Sequence, residues 1–94
     1  MRPKSDTITP RKVRSVDELG RALRAARKAK GMTQGELARV AGLQAHHIST
    51  IETGATKPTA ATIFILLSAL DLDCVLSPRG SRNAGKSSSI EDIF

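Results

Sequence analysis

The stretch Gln44-Ala45-His46-His47-Ile48-Ser49-Thr50 sets two adjacent histidines among small and polar residues. Imidazole offers three kinds of chemistry: metal ligation, proton transfer, and hydrogen bonding to a polar surface or a base edge. Two zinc ligands on one helix need i, i+3 or i, i+4 spacing, whereas adjacent residues point about 100° apart. His46 and His47 are therefore a poor metal pair, and no third ligand is evident nearby. Neither has a plausible nucleophile or orienting carboxylate at hand, so catalysis lacks its other members. Hydrogen-bonded recognition remains, and the elements around the stretch decide what is recognised.

The chain has 94 residues, which allows one small domain. It has no Trp, no Tyr and two Phe, so the core must come from Leu, Ile, Val and Ala. Such a core favours close-packed helices and leaves little room for a catalytic cleft walled off from water. No enzymatic activity, metal or cofactor is expected. Cys74 stands alone, which excludes an intrachain disulfide and a cysteine-based zinc motif and suits a reducing cytoplasm. The longest apolar run, Ile63 to Leu67, is far too short for a membrane span, and nothing resembles a signal peptide. Fifteen Lys plus Arg against nine Asp plus Glu give a formal net charge of +6. Residues 1–14 concentrate it, with Arg2, Lys4, Arg11, Lys12 and Arg14 against Asp6 alone. This pattern fits a polyanionic partner such as nucleic acid, although charge alone is also compatible with a soluble protein bearing a charged tail.

Start and stop signals place four helices. Ser15 and Glu18 have capping-box spacing, with Glu18 expected to reach back to the Ser15 amide. Val16, Leu19, Leu23 and Ala26 follow at helical intervals until Gly31. Thr33 and Glu36 repeat the box before a helix over 34–41, with Leu37, Ala38 and Ala41 inward and a stop at Gly42. A third helix spans roughly 44–53 and ends at Gly54; Ile48 and Ile51 form its inner face. Thr59 caps a fourth helix through Leu70, which buries Ile63, Leu66, Leu67 and Leu70. Residues 72–78 alternate as a short strand, with Leu72, Cys74 and Leu76 on one face and Asp73, Val75 and Ser77 on the other. A lone strand leaves its backbone unpaired. It needs either the uncertain "DTITP" stretch or, more simply, its own copy across a two-fold axis. The organisation is thus a basic arm (1–14), a helical domain (15–71), a dimerising strand (72–78) and a Gly/Ser-rich flexible tail (79–94).

A capped helix, a Gly-containing turn and a short second helix make a helix-turn-helix. With its flanks, "MTQGELARVAGLQAHHISTIETGATKPT" resembles the lambda-repressor-like, or XRE-type, DNA-binding domain. The likeness covers residues 19–70 through T-Q-x-E-L-A, A-G-L, I-S-x-I-E-x-G and K-P-T. It implies a mainly α fold: a four-helix lambda-repressor-like domain followed by one short strand that pairs across a homodimer. The strand "LDLDCVL" and the short polar tail extend the resemblance to HipB antitoxins, partners of HipA-type kinase toxins, in which that strand forms a small β-lid.

A recognition helix enters the major groove by its N-terminal part. Gln44 can bond an adenine edge or a phosphate, and Ala45 can meet a thymine methyl. His46 can reach a purine N7 or O6, and Ser49 and Thr50 reach bases or phosphates. Thr53, on the same face, and Lys57 of the K-P-T motif complete the DNA-facing set. His47 either touches DNA or packs at the rim against helix 34–41. The resemblance assigns Gln34 a phosphate contact, in keeping with its place at a helix N-terminus. It also implies a buried ion pair between Arg27 and Glu52 that locks the recognition helix to the first helix. Arg21, Arg24, Lys28 and Lys30 read as a solvated face. Ile65 points outward where the family is usually polar, and it joins Leu72, Cys74 and Leu76 as a dimer surface; otherwise it is one scattered apolar residue.

In the tail, Ser88 and Glu91 have capping-box spacing, and Ile90, Ile93 and Phe94 fall on one helical face. The resemblance implies a tail that inserts its terminal aromatic into a toxin, with a frayed end as the plainer alternative. The expected function is a sequence-specific antitoxin that represses its own operon. Its expected partners are double-stranded operator DNA, its own copy and a HipA-like kinase, with no membrane and a cytoplasmic, nucleoid-associated location. The alternatives are a stand-alone XRE repressor without a toxin, and a protein-binding inhibitor that does not read DNA.

Overall fold

The structure, a computed structural model, describes residues 10–79. The expectations for Ile90, Ile93 and Phe94 lie outside these residues. Four helices follow one another: α1 (Val16–Ala29), α2 (Gln34–Ala41), α3 (Ala45–Thr53) and α4 (Ala60–Ala69). No helix among the described residues is long and apolar enough to cross a membrane.

Each start has its own chemistry. Thr33 and Glu36 form the reciprocal box: Thr33 Oγ1 accepts from the Glu36 amide at 3.0 Å, and Glu36 Oε1 accepts from the Thr33 amide at 2.8 Å. Thr59 accepts from the Thr62 amide at 3.2 Å. At α1 only half of the expected box forms. Ser15 Oγ accepts from the Glu18 amide at 3.0 Å, but the Glu18 carboxylate accepts from the Arg14 amide, one residue earlier than the sequence suggested. The donor is still satisfied, so the change shifts the partner and keeps the cap. α3 differs: Gln44 is its N-cap residue and makes no side-chain capping bond.

All four helices end alike. A residue with positive φ (Gly31, Gly42, Gly54, Asp71) is followed by one whose amide returns to a carbonyl of the last turn. These bonds are Met32 to Arg27 at 3.1 Å, Leu43 to Ala38 at 2.8 Å, Ala55 to Thr50 at 2.9 Å and Leu72 to Leu67 at 2.8 Å. The reversal folds the residue after the turn onto the helix just left, so Met32, Leu43 and Leu72 pack against the core. This corrects the reading of Leu72 as a residue of the dimer surface: the turn at Asp71 commits it to the core of its own chain. Cys74 and Leu76 are exposed, Leu76 at 92%. Residues 72–78 carry neither helix nor ladder; the expected ladder lies between two copies and is not contained in one chain.

The core is Leu23, Ala26, Leu37, Ala38, Ile48, Ile51, Leu66, Leu67 and Leu70, with Leu19, Met32, Leu43 and Ile63 closing its edges. α3 packs on both α1 and α2. Its approach to α1 is set by Gly20, where any Cβ would press on the backbone carbonyl oxygen of Ile51 and lie 3.1 Å from that of Glu52. A side chain there would push α3 away from α1.

Candidate nucleic-acid interface

What holds α3 is charge sealed inside apolar packing. Arg27 Nε donates to Glu52 Oε2 at 2.7 Å and Arg27 Nη2 donates to Glu52 Oε1 at 3.1 Å. Their side chains are 8% and 2% exposed. The remaining valences are used as well: Arg27 Nη1 donates to the Met32 carbonyl at 2.7 Å, and Gln34 Nε2 donates to Glu52 Oε1 at 3.1 Å. No buried side-chain polar atom among the described residues lacks a partner. A buried pair is tolerable only when its lone pairs and protons are met in this way. The cluster joins α1, the α1–α2 turn, the first residue of α2 and the last turn of α3, so the helix-turn-helix is anchored as one body.

The sequence placed Gln34 on a phosphate. Here one amide N–H is turned inward onto Glu52, and Gln34 is half-buried at the start of α2. Gln44, Ala45 and His46 stand together on the exposed first turn of α3. His47 and Ser49 are half-buried, in keeping with the rim position weighed for His47. Lys57 is exposed in the loop beyond α3.

Thr50 and Thr53 need a correction. Thr50 Oγ1 donates to the His47 carbonyl at 2.9 Å and accepts from Thr56 Oγ1 at 3.1 Å. Thr53 Oγ1 donates to the Thr50 carbonyl at 3.3 Å. Both hydroxyls are committed inside the chain, because a threonine on a helix competes for nearby backbone carbonyls. Their spacing marked the correct face but did not reveal this internal use. Thr56 and the Met32 carbonyl were missed altogether, since bonds from a turn back to a helix leave no periodic signal. Among the described residues no group of His, Cys, Asp and Glu is arranged to hold a metal ion.

On the other side, α4 presents Phe64 (58% exposed) and Ile65 (43%), with Val40 of α2 beside them (60%). Ile65 was expected to face outward, whereas Phe64 and Val40 were not. α4 is apolar on every side, so periodicity alone could not sort its faces. That all-round apolarity was itself a signal, because such a helix has two surfaces to cover.

A family model described as a helix-turn-helix domain matches residues 18–78. The chain is 41% identical over 63 residues to the uncharacterized HTH-type transcriptional regulator y4dL of Sinorhizobium fredii. That alignment takes in 67% of this chain and 32% of the relative, so the chain spans about a third of the length of that regulator. Among solved structures, HipB in a HipB variant–O2 20mer complex superposes with a TM-score of 0.71 and 30% identity. The superposition covers 77% of this chain and all of the HipB chain. The chain therefore belongs to the XRE-type helix-turn-helix family, a family of DNA-binding regulators and not of enzymes, and its fold is like that of HipB.

Proposed function

We propose that the protein is a dimeric, sequence-specific operator-binding repressor that acts as the antitoxin of a HipA-like kinase. The observation that carries the DNA-binding part is the exposed first turn of α3, with Gln44, Ala45 and His46 free of internal side-chain bonds, held from behind by the Arg27–Glu52–Gln34 cluster. A rigid helix with a polar, outward N-terminal turn is what major-groove reading requires. Ser49, His47 and Lys57 border the contact, and Gln34 offers its second amide N–H to a phosphate. Basic Arg11, Lys12 and Arg14 lie exposed before α1 and add sequence-independent attraction. The complex reported for HipB supports this reading. Dimerisation rests on the segment 72–76, whose backbone seeks a strand, and on exposed Ile65. The kinase partner rests on the resemblance to HipB and on the apolar spacing of Ile90, Ile93 and Phe94. Such a repressor acts in the cytoplasm, at its operator on the nucleoid.

An electrophoretic shift with the DNA upstream of the protein's own reading frame tests the first part; no selective shift over random duplex overturns it. Pull-down of the kinase encoded beside it tests the second. A chain truncated after Ser81 should keep operator binding and lose affinity for the kinase. Equal kinase affinity with and without the tail removes residues 90–94 from the interface, and a missing adjacent kinase favours a stand-alone repressor.

A further inference from the structure

The side of the molecule formed by α2 and α4 carries a hollow lined by Val40, Phe64, Ile65, Ser68 and Ala69. Its floor is made of small side chains, and its rim is made of large apolar ones left 43% to 60% exposed. No charged residue occurs between Ala60 and Ala69. A closed two-fold interface sets one patch against itself, so any net charge on the patch meets like charge. In a chain of net charge +6, an uncharged apolar face escapes that repulsion.

We propose that the occupant of this hollow is a second copy of the chain. Phe64 of one copy seats over Ser68 and Ala69 of the other, beside Val40, and the contact is repeated reciprocally. The inference rests on the dimer reading above and adds to it the helix that carries most of the contact. α4 supplies the apolar contact, and the segment from Leu72 continues it, because Phe64 and Ser68 also line the adjoining depression with Leu72 and Cys74. Burying two exposed phenylalanines at one centre supplies the non-directional part of the association, and backbone pairing at 72–76 fixes its register.

Sedimentation equilibrium of the full chain across a dilution series tests this, with a thermal melt of every variant. The wild type should weigh twice the 10.0 kDa chain mass. Phe64→Lys and Ser68→Arg should each raise the dissociation constant about a hundredfold, while Phe64→Leu should raise it less. Both positions are exposed, so folding should survive; should Phe64→Lys fail to fold, Ser68→Arg decides alone. Wild-type dimerisation by folded Ser68→Arg overturns the inference and leaves a dimer through 72–76 standing. A monomeric wild type overturns the dimer reading itself. The chain truncated after Ser81 should dimerise unchanged; a dimer that tightens on truncation makes the tail the occupant and overturns the proposal.

Discussion

The first and last turns of α3 differ in what their side chains do before any partner arrives. At the start, Gln44 makes no capping bond, and Gln44, Ala45 and His46 are exposed. At the end, the Thr50 carbonyl alone accepts from the amides of Ala55 and Thr56 and from the Thr53 hydroxyl, while Glu52 is sealed by Arg27 and Gln34. Nine residues thus divide into a free end and a fixed end. A reading helix needs both. Side chains that already have partners must break bonds before they can bind, and a helix that is not held must lose orientational freedom when it does. Fixing one end supplies orientation at no cost to the side chains at the other.

Breaking the fixed end should have the largest effect. Glu52→Ala leaves the Arg27 guanidinium buried without its carboxylate, and loss of one member of a buried pair costs about 3–5 kcal/mol. The melting temperature should fall steeply, and operator and random DNA should both lose binding in proportion to the unfolded fraction. A variant that melts near wild type would show that α3 is held by its apolar contacts alone. A change at the free end should do the reverse. His46→Ala should leave the melt in place and cost about 1–3 kcal/mol of operator affinity, concentrated at particular base pairs. Equal loss on operator and random duplex would take His46 out of the base-reading set. The smallest effect should come from Thr50→Val, which keeps shape and removes a hydroxyl bonded to His47 and Thr56. A net loss of about 1 kcal/mol in stability is expected, with operator specificity unchanged. Altered specificity would return Thr50 to the DNA-facing set.

The helices were legible in the sequence because each carries its own punctuation: Thr33 with Glu36, Thr59, and the glycines at 31, 42 and 54. The two inner isoleucines of α3 were legible for the same local reason, since i, i+3 spacing states a face. Two kinds of feature escaped. Leu72 was placed by its alternation with Cys74 and Leu76, and alternation cannot show that Asp71 adopts φ 59° and turns the chain back. Aspartate in that conformation is less common than glycine, so the stop signal was muted. The hint was the repeated order of a turn residue followed by an apolar one, as in Gly31-Met32 and Gly42-Leu43. Phe64 escaped because α4 has no polar side to define its inward one. At the interface the face was readable, whereas the competition for Thr50 and Thr53 was not, because hydrogen bonds from a loop depend on where the chain returns.

The Arg27–Glu52 contact joins residues 25 apart in the chain, and this has a consequence for the order of folding. In the unfolded chain both groups are hydrated. They lose water only after α1, α2 and α3 have docked around them, because Gln34 and the Met32 carbonyl complete the shell. Contacts that form after the rate-limiting step affect escape from the native state and leave arrival almost untouched. A conservative weakening such as Glu52→Gln should therefore move the unfolding limb of a chevron plot and leave the refolding limb nearly in place. The lifetime of the folded repressor is then governed by a pair that contributes little to how fast it forms.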